Sequence, residues 1–118
     1  MHQPSFFANR DKAQTLAAER IVIRALGEFQ SRGKVLAERE LPLDRLRGAL
    51  RRAAEAFDVE EMTDEQVVTT LSALGARVRQ IPSFTAKHPY RVIVQTDLAE
   101  HALQVYREPI AEVGQQNQ

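Results

Sequence analysis

The sequence predicts a mainly helical α+β domain, and three observations predict it. Before residue 75, apolar residues recur at three- and four-residue spacing in three segments, the mark of amphipathic helices. Between residues 76 and 95 the period falls to two, the mark of half-buried strands. After Thr96 the helical period returns. With 118 residues, 43% hydrophobic and 27% charged, the chain suits one domain able to bury a core without disulfides or metals.

Met1–Asn9 is polar apart from Phe6 and Phe7, and is expected to fray unless those rings dock. The first helix is expected from Arg10 to Arg32. Leu16, Ile23, Leu26 and Phe29, joined by Val22 and Ala25, form its core stripe. Gly33 stands where a helix needs a left-handed residue at its end. Lys34–Glu40, with Val35, Leu36 and Ala37, is either a short strand or an extended connector.

Leu41-Pro42-Leu43-Asp44 reads as the start of a second helix, with Asp44 as N-cap. Leu46, Leu50, Ala53 and Phe57 follow as its core stripe. Arg47, Arg51 and Glu55 occupy the opposite face, with Arg45 and Arg52 on the flank. Asp58–Met62 is an acidic turn. The third helix has a strong local signature: Thr63 and Gln66 make a capping box, and Met62 with Val67 matches a hydrophobic staple. Val67, Val68, Leu71 and Leu74 point to the core, and Gly75 ends the helix. Glu65, Gln66, Thr69, Ser72 and Ala73 face outward.

Ala76–Ile81 and Tyr90–Gln95 alternate as two antiparallel strands, with Val78, Val92 and Val94 on the core side. Pro82 and Pro89 bracket the loop Ser83–His88 between them. Thr96-Asp97 caps a last helix carrying Leu98, Ala102, Val105 and Tyr106, which Pro109 is expected to stop.

Helix, extended segment, helix, turn, helix, strand, loop, strand, helix: this order resembles the winged helix-turn-helix superfamily over about residues 12–107. The likeness lies in the order and in the passage from the Thr63–Leu74 helix through Leu74-Gly75-Ala76 into a hairpin. It implies a single winged-helix-like domain over 10–108, with 1–9 and 109–118 as flexible or loosely docked termini. Its expected parts are a three-helix core, a two-stranded β-hairpin wing and an extra C-terminal helix. That last helix is similar to those by which many small bacterial winged-helix regulators dimerise.

In such regulators the third helix typically enters the major groove, and the hairpin reaches along the backbone or into the minor groove. Here the resemblance makes Gln66, Thr69, Thr70 and Ser72 candidate base readers, with Ala73 able to touch a thymine methyl. Asp64 and Glu65 would repel phosphates there, and they equally suit the positive end of a helix dipole. The hairpin groups Arg77 and Arg79 with Lys87, His88 and Arg91, beside Phe84 and Tyr90. These cations either neutralise phosphates or merely cover an edge strand. Arg47 and Arg51 belong to the densest basic run. It either tracks a phosphate backbone or forms an exposed face in which Arg51 and Arg52 pair with Glu55 or Asp44.

Charge adds little direction. Sixteen Lys+Arg balance 16 Asp+Glu. Residues 1–59 hold 11 basic against 8 acidic side chains, and residues 60–118 hold 5 against 8. The absence of cysteine excludes disulfide scaffolds, thiolate zinc sites and cysteine nucleophiles. His2, His88 and His101 lack metal-ligand spacing, and no nucleophile elbow or phosphate-binding glycine loop occurs. An enzyme is therefore not expected, nor a cofactor or metal. The longest apolar run, Ile21-Val22-Ile23, is flanked by Arg20 and Arg24, so no membrane span is expected. The first ten residues hold no leader-like apolar run, and a cytoplasmic location is expected.

Two functions follow. One is DNA binding as a small dimeric transcriptional regulator or chromosome-associated factor. The other is a winged-helix protein-interaction module, subunit or adaptor, without DNA binding. Double-stranded DNA, a second copy of the chain and a protein partner are the candidate partners. Leu98, Ala102, Val105 and Tyr106 are the candidate dimer-interface residues.

Overall fold

The computed structural model describes residues 4–82 and 90–116, with side chains for 13–82 and 90–108. Its longest element, α1 (Pro4–Ser31), starts well before the Arg10 that periodicity suggests. Residues 4–9 are thus helical rather than frayed. Pro4 stands at the first helical position, where its missing N–H has no partner to lose and its fixed φ suits the helix. The helix buries Ile21, Val22, Ala25, Leu26 and Phe29. Leu16, expected to open that stripe, is 51% exposed because α1 runs out past the core there. Gly33 closes the helix at φ +87°, as its position implies.

The stretch after α1 is an extended connector that ends in a strand, β1 (Glu40–Pro42). Leu36 is buried, Ala37 bridges to Val94, and Glu38 takes a left-handed φ of 61° while its N–H donates to the Val94 carbonyl at 2.8 Å. A 3-10 turn, Leu43–Leu46, precedes α2 (Arg47–Ala56). Asp44 lies inside that turn and is not the N-cap; the cap position is Leu46, with no side-chain bond. The physical reason is packing: three residues per turn aligns Leu43 and Leu46, and both are buried. Helix α2 buries Ala49, Leu50, Ala53 and Ala54. Phe57, expected in its core stripe, is 40% exposed. The helix has ended by then, so the 3.6-residue phase no longer carries that ring inward.

Helix α3 (Asp64–Ala73) begins as its sequence predicts. The Thr63 hydroxyl accepts from the Gln66 N–H at 3.1 Å, and the Gln66 carboxamide oxygen accepts from the Thr63 N–H at 2.9 Å. Met62, Val67 and Leu71 are buried, and Gly75 turns the chain at φ +100°.

Strands β2 (Arg77–Gln80) and β3 (Tyr90–Ile93) pair antiparallel, Val78 opposite Val92 and Arg79 opposite Arg91. The sheet has three strands, not two: β1 joins the other edge of β3, with Leu41 opposite Val92, giving the order β1-β3-β2. Val92 and Val94 are fully buried and Val78 is half-buried. A one-residue slip would turn the arginines inward, which holds the register.

The last helix, α4 (Thr96–Gln116), passes through Pro109 instead of stopping there. A proline removes one backbone bond and strains one turn, and residues 110–113 supply ordinary helix formers beyond it. Thr96 does not cap this helix. Glu38, 58 residues earlier, caps it: its carboxylate accepts from the Thr96 N–H at 2.8 Å and from the Thr96 hydroxyl at 3.2 Å. α4 lies along α1, where the Gln30 carboxamide donates to the Ala99 carbonyl at 2.7 Å. The core lies between α1, α2, α3, the start of α4 and the inner sheet face. Leu26, Leu36, Leu46, Leu50 and Leu71 are its largest fully buried side chains, each contributing about 1.5–3 kcal/mol. Among the described residues no helix is long and apolar enough to cross a membrane.

Candidate functional site

Two surfaces of opposite charge flank the core, and strand alternation builds the first. With Val78 and Val92 turned inward, Arg77, Arg79 and Arg91 share the outer face of the sheet with Glu40, Pro42 and Ile93. Arg79 sits directly opposite Arg91. Like charges so placed destabilise a sheet unless an anion offsets them, and the Glu40 carboxylate on β1 pairs with Arg79. Among the described strand residues three arginines share this sheet face with one glutamate, and Arg91, like Arg79, is partnered. Among the described residues Arg77 has no side-chain partner. Lys87 and His88, with Phe84, fall between residues 83 and 89, outside the described residues.

The second surface is the outward side of α3. Gln66, Thr69 and Ser72 are exposed there, as expected. Thr70 is not: it is 7% exposed, and its hydroxyl donates to the Gln66 carbonyl at 2.8 Å. The Gln66 carboxamide oxygen is committed to the capping box. This side of α3 does not stand clear of the molecule. It forms one wall of a groove of about 620 Å³, whose other walls are α1 from Gln14 to Ile21 and the Val59–Met62 segment. Glu19, Glu60, Glu61 and Glu65 line the groove, and among the described residues no Lys, Arg or His does so. Sequence periodicity could not reveal this groove, because it depends on how far α1 projects and at what angle it crosses α3.

Between the two surfaces, most of the α2 arginines are committed. Arg47 pairs with Asp64, bonds Glu61 at 3.1 Å and donates to the Met62 carbonyl at 2.8 Å. Burial lowers its pKa, but the hydrogen bonds and charges of Asp64 and Glu61 outweigh this and raise it above the ordinary arginine value. Arg47 is thus a clasp between α2 and the start of α3 rather than an open phosphate contact. Arg52 pairs with Glu28 on α1 at 2.9 Å, not with Glu55 or Asp44. Arg51 is exposed and has no side-chain partner among the described residues. The three interhelical acids Glu28, Glu38 and Glu61 carried no local signal in the sequence.

The candidate dimer residues are drawn toward α1. Ala102 is fully buried in the chain's own core, so it is not available to a second copy. Leu98 packs against the core, and Val105 and Tyr106 are half-buried. The Arg24 guanidinium lies 5.3 Å from the Tyr106 ring centroid, a cation–π contact. Among the described residues no three His, Asp or Glu side chains converge as a metal set. No protein-family model matches the chain, and no curated protein or solved structure matches it.

Proposed function

We propose that this chain is a winged-helix DNA-binding protein, a small regulator or chromosome-associated factor, that grips duplex DNA by its backbone. The observation that carries the reading is the outer sheet face, where Arg79 stands opposite Arg91 and Arg77 is unpaired among the described residues. On that face Arg77 is a cation that a phosphate could meet without displacing an existing partner among the described residues. The helix, strand, helix, helix, strand, strand order of the fold supports the winged-helix reading. Base reading by α3 has the weaker support, since acids surround its outward side and Thr70 is buried.

Titrating the chain onto random-sequence duplex at increasing salt tests this. Log affinity should fall linearly with log salt, and Arg77→Ala and Arg91→Ala should each reduce the slope by about 1. No binding at about 50 mM salt rejects the reading. That result would favour the second one, a protein-interaction module without DNA binding. Its support is that Arg47, Arg52 and Arg79 are all spent on carboxylates within the fold.

A further inference from the structure

We propose that the groove between α1 and α3 docks a basic amphipathic helix from a partner protein. Buried Ile21 and Met62, with Thr70, lie at its base, half-buried Ala18 and exposed Ala73 add apolar surface, and Val59 at 49% exposure stands on the edge. Its rim is anionic. Glu61 is already neutralised by Arg47, while Glu19, Glu60 and Glu65 have no ion pair among the described residues.

Shape and charge together select the occupant. Two helices wall an open trough about 10–12 Å long, the reach of Gln14–Ile21 and of Glu65–Ala73 at 1.5 Å per residue. That length matches about two turns of a third helix lying between them, the helix-in-groove mode of recognition. Among the described residues no aromatic ring lines the trough, so they offer no cage for a small quaternary ammonium ion. Apolar side chains at three- and four-residue spacing would meet the floor, and lysines or arginines beside them would meet the three unpaired glutamates. Nucleic acid is the ligand this surface repels. Docking here is independent of DNA binding, which uses the opposite charge on another face.

The test is a pair of synthetic helices of about 15 residues with identical Leu and Ala positions, one flanked by Lys and one by Glu. Each is titrated into ¹⁵N-labelled full-length chain. The Lys helix should shift amide signals of residues 14–21, 59–62 and 65–73, while the Glu helix leaves them in place. Substituting Glu60→Lys with Glu65→Lys, both exposed positions, should weaken the Lys helix about tenfold. Absence of shifts, shifts centred elsewhere, or equal response to both helices overturns the proposal. The wild-type spectra alone decide between these outcomes even if the double variant folds poorly. A failed peptide titration leaves the duplex titration untouched, so the two readings fall separately.

Discussion

Gly27 of α1 lies directly against Tyr106 of α4. A Cβ on the glycine would collide with the Tyr106 Cβ and the Ala102 carbonyl oxygen. A glycine inside a helix costs about 1 kcal/mol relative to alanine, and here that cost permits the two longest helices to touch. Arg24 over the Tyr106 ring and Gln30 on the Ala99 carbonyl extend the same seam in either direction.

Gly27→Ala should therefore destabilise the fold although it improves helix propensity. Overpacking of this kind costs about 1–3 kcal/mol, and the expected fall in Tm is roughly 5–10 °C. Differential scanning calorimetry checks it. An unchanged or raised Tm would mean that α4 does not sit so close to α1.

Arg47→Met should cost about 1–2 kcal/mol in urea unfolding, because the Met62 carbonyl loses a charged donor and Asp64 and Glu61 lose their shared cation. Arg51→Met, on the exposed side of the same helix, should fall within about 0.5 kcal/mol of wild type. Equal effects at the two positions would contradict the clasp.

Glu38→Ala removes the acceptor for the first amide of α4 and should cost about 1 kcal/mol. Hydrogen exchange at Thr96 and its immediate neighbours should quicken while α3 amides stay protected. Glu38→Gln keeps an acceptor oxygen and should have the smaller effect.

Self-association, if it uses the projecting half of α1, runs through Leu16, which is 51% exposed. Sedimentation equilibrium at micromolar concentration should give a mass near twice 13.3 kDa. Leu16→Glu should return it to the monomer value without loss of helicity. A wild-type mass already at the monomer value rejects the dimer.

What could be read from the sequence is what depends on neighbours within a few positions. The Thr63–Gln66 box, the glycine stops at Gly33 and Gly75, and the two-residue alternation around Val78 and Val92 are all of this kind. What could not be read needs distant residues to meet. Glu38 finds Thr96 across 58 positions, Arg47 finds Asp64 across 17, and Glu40 joins the sheet only because Ile93 arrives beside it. The site divides the same way. Alternation alone places Arg77, Arg79 and Arg91 on one face. The groove beside α3 needed the course of α1, which no short-range pattern encodes, and Pro109 understated how far the last helix runs.

The position of β3 has a consequence for how the chain is made. It is the middle strand, yet it follows both of its neighbours in sequence. β1 and β2 therefore have nothing to pair with until residues 90–93 have left the ribosome. Until then the nascent chain must rely on its first three helices, and Val78 and Leu41 stay uncovered. When β3 arrives it completes both ladders at once, so sheet formation is a single late event. A ribosome-stalled fragment ending before Tyr90 should be helical and devoid of sheet, whereas one that also clears Ile93 should acquire all three strands together.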